Sequence, residues 1–248
     1  MRPVHDVLAG LSKSYMFEDL TAEELGPLAA AVTTRSLVRD QCLCNPGDPA
    51  DEIWVVLSGE VKDSVVDAEG REVIHFVHGP GMTLGEPGYF SVERTRILQV
   101  AAIEASTMIV LGRRHLGPFI ADHASVKDRV LEALASNSRW QTTIISSAAR
   151  RPLRDRLVLR LIELVDSSPE RRSGHAVTPK ISQSTLAAMI GVSRENVNRA
   201  LSALAIDGAI RQEDGRYVLV DEDRLRREVS RDWPLATGRD RRADPNDS

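Results

Sequence analysis

The sequence predicts an α+β chain: an N-terminal domain of short antiparallel strands, a long helix after it, and a C-terminal helix-turn-helix with a hairpin wing. Three observations carry this. Between Leu37 and Leu111, turn glycines recur at Gly47, Gly59, Gly70 and Gly79, the spacing of a sandwich or barrel. From about residue 125 to 149 the hydrophobic period becomes helical, and Gly191 joins two short helical stretches ahead of a hairpin signal. Length agrees, because 248 residues exceed the usual single domain of about 100–200. Hydrophobic residues at 42% and charged residues at 27% exclude a wholly disordered or collagen-like chain.

Near the start, Thr21 followed three residues later by Glu24 predicts a helix with a capping box. The runs Ile53–Leu57, Val73–Val77 and Met108–Leu111 supply strands. Cys42 and Cys44, one residue apart on a strand, have poor geometry for a disulfide, and two thiolates cannot build a four-cysteine site. They share a strand face by alternation, and a reduced, cytoplasmic protein is expected. His75 and His78, three apart on a strand, should point to opposite faces, so no metal is expected there. No export signal opens the chain, and no run of about 18 apolar residues occurs, so no membrane partner is expected.

In the long helix, Leu131, Leu134, Ser138, Gln141, Ile145 and Ala148 form a heptad seam that is apolar at its ends and polar in its middle. A second copy of the chain is the simplest partner for it. Pro152 interrupts the helix, which makes Ala149–Pro152 a hinge, and the next helix carries Leu157, Leu161 and Leu164 on one face.

The stretch Gln183–Leu201 has helix-turn-helix chemistry. Gly191 can take the positive φ that stops the first helix, and Ser193 can cap the second. Val197, Leu201 and Leu204 then face inward, leaving Arg194, Glu195, Asn198 and Arg199 on the other side. Arginine pairs with guanine O6/N7 and glutamate accepts from cytosine N4, so these residues suit double-stranded DNA. Asp214-Gly215 turns a hairpin whose Arg211 and Arg216 could touch phosphate. The formal net charge of −4 does not oppose this. Residues 1–149 carry −7, residues 150–220 carry +4 and residues 221–248 carry −1.

This order of parts resembles the cyclic-AMP receptor protein / fumarate-nitrate regulator (CRP/FNR) family of bacterial transcription regulators over roughly residues 10–225. The segment Val192–Arg199 is similar to the recognition segment of the cyclic-AMP receptor branch. The resemblance implies an N-terminal cyclic-nucleotide-binding β jelly roll (1–122), a dimerisation helix with hinge (123–151) and a winged helix-turn-helix DNA-binding domain (152–225). The remaining segment (226–248) is expected to be a disordered tail, because from about Asp232 it is charged, contains Pro and Gly and has no apolar period. The resemblance also implies a homodimer that reads a palindromic TGTGA-type operator through Arg194, Glu195 and Arg199, with Ser193 on phosphate and RNA polymerase as a further partner; Asn198 joins the DNA-binding set by its place on the same outer side.

Residues Gly81–Phe90 with Arg94–Leu98 resemble the phosphate-binding cassette of cyclic-nucleotide-binding domains. The implied effector is cyclic AMP, bound by Gly85, Glu86, Pro87, Arg96 and Ile97. Gly85 offers backbone, Glu86 takes the ribose hydroxyl and Arg96 the phosphate, with Arg94 as a possible substitute. Pro87 stands where Leu or Met is usual, and Ile97 where a hydroxyl residue is common. One lost charge-assisted hydrogen bond costs about 1.5–3 kcal/mol, or roughly ten- to a hundredfold in affinity. Gln141 and Thr142 match family positions that contact adenine, one of them across the dimer; alternatively, the polar seam only fixes register. If Pro87 and Ile97 weaken the cassette, the apo dimer already binds DNA. From another class, a cupin-like jelly-roll metalloenzyme would reveal itself by stoichiometric metal.

Overall fold

The computed structural model describes residues 4–66, 72–167, 171–172 and 174–230. The chain divides into two compact units, with the main break between Ala149 and Arg150.

The first unit opens with α1 (Val4–Ser12), a 3-10 turn at Tyr15–Phe17 and α2 (Ala22–Ala31). Thr21 caps α2 as the sequence requires: its hydroxyl accepts from Glu24 N at 3.3 Å, and the Glu24 carboxylate accepts from Thr21 N at 2.8 Å. Strands β1 (Thr33–Leu37), β2 (Cys42–Cys44), β3 (Glu52–Ser58), β4 (Val61–Val66), β5 (Glu72–His78) and β6 (Thr83–Leu84) follow. A short helix α3 (Glu86–Phe90) precedes β7 (Gln99–Ala102) and β8 (Ser106–Gly112), and α4 (Arg113–Asp122) and α5 (Ala124–Arg150) complete the unit. The strands make two four-stranded sheets, ordered β1-β8-β3-β6 and β2-β7-β4-β5.

The apolar run of β3 is buried on both faces. Trp54 and Val56 enter a cluster with Val61 and Val100 of the other sheet, which places one core between the sheets. Ile53 and Val55 enter a second cluster with Leu11, Leu25 and Leu116, under the helices. Full burial on two faces explains why this run is continuous rather than alternating.

Two bulges correct the alternation expected from sequence. Cys42 pairs with Ala101 but Cys44 with Val100, so one residue is extra and the two thiols part company: Cys42 is exposed and Cys44 buried, both unoxidised. Burial pushes the Cys44 thiol up to about 11, which leaves it an inert core group. In the β4–β5 ladder Asp63 pairs with Phe76 and Ser64 with Ile74, which makes His75 the extra residue of a bulge. His75 and His78 therefore both approach Asp63, at 3.5 and 3.1 Å, rather than facing apart.

The seam helix is also divided in use. Val126 and Val130 are buried, and Leu134, one turn on, packs against the same cluster, whereas Leu131 is 55% exposed. Leu134 thus faces the unit's own core, and the free stripe begins at Leu131. Arg129 ties α5 to the N-terminal segment through Asp19 at 2.7 Å and Glu18 at 2.7 Å. The side chains of Ile145 and Ala148 lie outside the described residues.

The second unit comprises α6 (Leu153–Ser167), β9 (Arg171–Arg172), β10 (His175–Val177), α7 (Gln183–Ile190), α8 (Arg194–Ile206), β11 (Ile210–Glu213), β12 (Arg216–Leu219) and α9 (Glu222–Ser230). Leu157, Leu161 and Leu164 of α6 are buried, as are Val197, Leu201 and Leu204 of α8. The hairpin turns at Asp214 and Gly215, both at positive φ, and β10 extends it into a sheet ordered β11-β12-β10-β9. Residues 226–230, assigned from sequence to the tail, instead form the end of α9. Val229 is buried there, and Arg226 pairs with Asp166 at 2.5 Å. Residues 231–248 lie outside the described residues.

Candidate functional site

In the first unit, the backbone sets the cassette before any side chain does. Gly85 is the N-cap of α3 at φ +97°, and a Cβ there would lie 2.6 Å from Arg96 Nη1 and 3.3 Å from the Trp54 ring. Pro87 occupies the first turn of α3, where the helix itself makes no use of a proline N–H, so the fold accepts it while an anion loses a donor. Glu86 is 9% exposed; burial pushes its carboxyl up, partly opposed by a hydrogen bond from the Thr83 hydroxyl.

Arg96 is 5% exposed and lies 3.9 Å over the Trp54 ring. Its Nη1 donates to Gly85 O at 3.2 Å and its Nη2 to Glu52 O at 2.6 Å. The Nε is buried with no acceptor among the described residues, an unused donor inside the domain. A guanidinium with a spare N–H, a buried carboxylate three residues from Thr83 and a close-packed glycine turn fit a cyclic phosphate joined to a ribose.

The remaining cassette residues separate. Ile97 is 62% exposed and lies outside the Trp54–Arg96–Gly85 group. Arg94, at φ +51°, borders a different cavity of about 240 Å³ with Tyr89, Phe90, Ser91 and Arg113, so it does not replace Arg96. On α5, Gln141 and Thr142 are exposed and bond within their own helix, to Asn137 at 3.4 Å and to Ser138 O at 3.0 Å. Among the described residues no hydrogen bond joins them to Gly85, Glu86 or Arg96.

In the second unit, Gly191 at φ +65° ends α7, and the Ser193 hydroxyl accepts from Asn196 N at 3.3 Å to cap α8. With Val197 fixed inside, Arg194, Glu195, Asn198 and Arg199 are all exposed along the first two turns. The α8 backbone N–H and the Ser193 hydroxyl, with Arg194 and Arg199 nearby, hold the Glu195 carboxyl below its ordinary value. Gln183 of α7 donates to Asn198 at 3.2 Å, and Arg199 donates to Asn196. The wing arginines are less available than the sequence suggests. Arg216 donates to Thr178 O at 3.2 Å, and Arg211 pairs with Glu213 at 2.5 Å.

Comparison with known proteins follows this division. Residues 34–123 match the cyclic nucleotide-binding domain and residues 155–228 the Crp-like helix-turn-helix domain. The transcriptional regulator SdrP of Thermus thermophilus is 30% identical over 176 residues, which cover 71% of this chain and 82% of that protein. The chain belongs to the CRP/FNR family of transcription regulators. The CRP-like cAMP-activated global transcriptional regulator of Mycobacterium tuberculosis is 26% identical over 223 residues, 88% of this chain and 97% of that one. A solved CRP/FNR-family regulator from Thermus thermophilus superposes with a TM-score of 0.57 at 28% identity, covering 79% of this chain and 98% of that one.

As a CRP/FNR member the chain is a DNA-binding transcription regulator with a cyclic nucleotide-binding domain, and the cupin-like enzyme reading is set aside. No helix among the described residues is long and apolar enough to cross a membrane. Among those residues no cluster of His, Cys, Asp and Glu is arranged to hold a metal ion. Sequence reasoning passed over Trp54 and Glu52, whose partner Arg96 is distant in the chain. A tryptophan within an apolar strand run was the available signal.

Proposed function

We propose that this CRP/FNR regulator acts as a homodimer on a palindromic TGTGA-type operator, and that cyclic AMP held in the first unit modulates its binding. The observation that carries the effector is the buried, unused Nε of Arg96, within a group that also holds Gly85 and lies close to the buried Glu86. A phosphate oxygen satisfies that donor, and Glu86 accepts the ribose hydroxyl. The description of the Mycobacterium tuberculosis relative as cAMP-activated supports cyclic AMP among cyclic nucleotides.

Arg194 and Arg199 donate to guanines, Glu195 accepts from cytosine, Asn198 lies beside them, and Ser193 meets phosphate. The exposed stripe of α5 supports a second copy, with Gln141 and Thr142 either at the base or fixing register. Two-fold symmetry sets the half-sites about one helical turn apart, and RNA polymerase is the further partner. The interruption between α5 and α6, at Ala149–Pro152, is the hinge that transmits the effector. Cyclic AMP shifts the equilibrium only by its differential affinity for the DNA-competent dimer.

One observation favours a second reading, in which the apo dimer already binds DNA. Both Nη groups of Arg96 already donate to carbonyls, and Pro87 offers no N–H. Calorimetry decides between them: the full chain is expected to bind one cyclic AMP per protomer, and Arg96→Ala none. Heat-silent wild type over a micromolar to millimolar titration, with DNA binding intact, establishes the second reading.

A further inference from the structure

The first unit holds one group of interior side chains that neither its core nor the phosphate cassette requires. In the β4–β5 ladder Val61 pairs with His78 and Asp63 with Phe76, and Val61 belongs to the apolar cluster between the sheets. By strand alternation Asp63, Phe76 and His78 therefore project from that inner face. The bulge at His75 turns a second imidazole toward the same carboxylate. Lys62, Ser64 and Glu72 bond to one another on the opposite face and do not take part.

Inner positions of a sandwich are normally apolar, because burying titratable groups costs folding free energy. Here the cost is only partly offset. His78 Nε2 lies 3.1 Å from Asp63 Oδ2, and His75 Nδ1 lies 3.5 Å from Oδ1, an ion-pair distance rather than a hydrogen bond. Asp63 Oδ1 and His78 Nδ1 are buried without a hydrogen bond. Burial pushes the Asp63 carboxyl up, but the His78 and His75 imidazoles outweigh it and hold the group below its ordinary value. It remains a carboxylate, able only to accept. Val61, two residues before Asp63 on the same strand face, shares its cluster with Leu84 and with Trp54, the ring on which Arg96 stacks, which sets this face toward the proposed phosphate and ribose group.

We propose that Asp63, held by His75 and His78, determines effector specificity by accepting a hydrogen bond from the exocyclic amine of a 6-aminopurine base. This rests on reading Gly85, Glu86 and Arg96 as the seat of the cyclic phosphate and ribose. An amine N–H satisfies the unused lone pair of Asp63 Oδ1. A 6-oxo base brings a carbonyl to the same place, so two acceptors meet and both stay unpaired. Such a mismatch at a charged acceptor costs roughly ten- to a hundredfold in affinity.

The test is calorimetry of the full chain with cyclic AMP and cyclic IMP, whose bases differ in the 6-amino and 6-oxo groups and the N1 proton that goes with them. The wild type is expected to bind cyclic AMP at least roughly tenfold more tightly. In Asp63→Asn, whose amide both donates and accepts, that preference should fall to within about twofold. Equal affinities in the wild type overturn the role of Asp63 while leaving the phosphate site standing, as does an Asp63→Asn protein that keeps the full preference. A wild type that binds neither nucleotide overturns the phosphate-site reading, and this assignment with it. The wild-type comparison needs no substitution, so poor folding of the variant does not remove the test.

Discussion

Trp54→Ala is expected to destabilise the N-terminal unit by about 3–5 kcal/mol, the range for deleting a buried large aromatic side chain. Trp54 is 1% exposed, sits in the cluster between the two sheets and anchors its indole N–H on Glu52 at 3.0 Å. Its ring also carries the Arg96 guanidinium at 3.9 Å and bounds the space beside Gly85. Removing it opens a cavity and leaves Arg96 without the surface that holds its plane, so cyclic nucleotide binding should be lost in the same variant. Trp54→Phe separates the two effects. It refills much of the cavity and restores an aromatic face, so most of the stability should return, with weaker stacking. Urea unfolding followed by circular dichroism reads the first effect and calorimetry the second. A Trp54→Ala protein within about 1 kcal/mol of the wild type contradicts the core assignment.

Arg199→Ala is expected to weaken operator binding by about 1–3 kcal/mol, roughly five- to 150-fold, while changing binding to random DNA far less. The physical reason is exposure. Arg199 stands on the outer side of α8, in its second turn beyond the Ser193 cap, and its guanidinium donates to the nearby Asn196. The fold loses little when it is removed, so melting should be unchanged. Combining it with Arg194→Ala should bring operator affinity close to that for random DNA. Fluorescence anisotropy on operator and scrambled duplexes measures both. Equal losses on the two duplexes show that Arg199 contacts phosphate and carries no sequence information.

Features that depend on residues three or four apart were legible in the sequence. The Thr21–Glu24 box, the Ser193 cap, the Gly191 turn and the inward set Val197, Leu201 and Leu204 all belong to this class. Each is fixed by helix geometry alone. The cassette was legible only as a motif. That Arg96 bonds to Glu52, 44 residues away, and stacks on Trp54 depends on how two strands of the sandwich meet. No local pattern encodes that meeting.

Strand faces were misjudged where bulges intervene. At Cys42–Cys44 and at His75 one extra residue reverses the alternation, and the ladder partner, not the residue type, sets its position. The Asp63–His75–His78 group was hidden for that reason. The end of α9 was missed because its polar composition resembles a tail, although Leu225 and Val229, a turn apart, supply a buried face.

The central claim is that a cyclic nucleotide in the first unit changes how tightly the second reads a defined DNA sequence. Titration of the full chain onto a duplex carrying two inverted TGTGA half-sites, with and without saturating cyclic AMP, tests it most directly. The account predicts tight binding to that duplex, weaker binding to a scrambled one, and a shift in operator affinity of roughly five- to 150-fold on adding cyclic AMP. An operator affinity unchanged by saturating cyclic AMP, or identical binding of operator and scrambled duplexes, would contradict it.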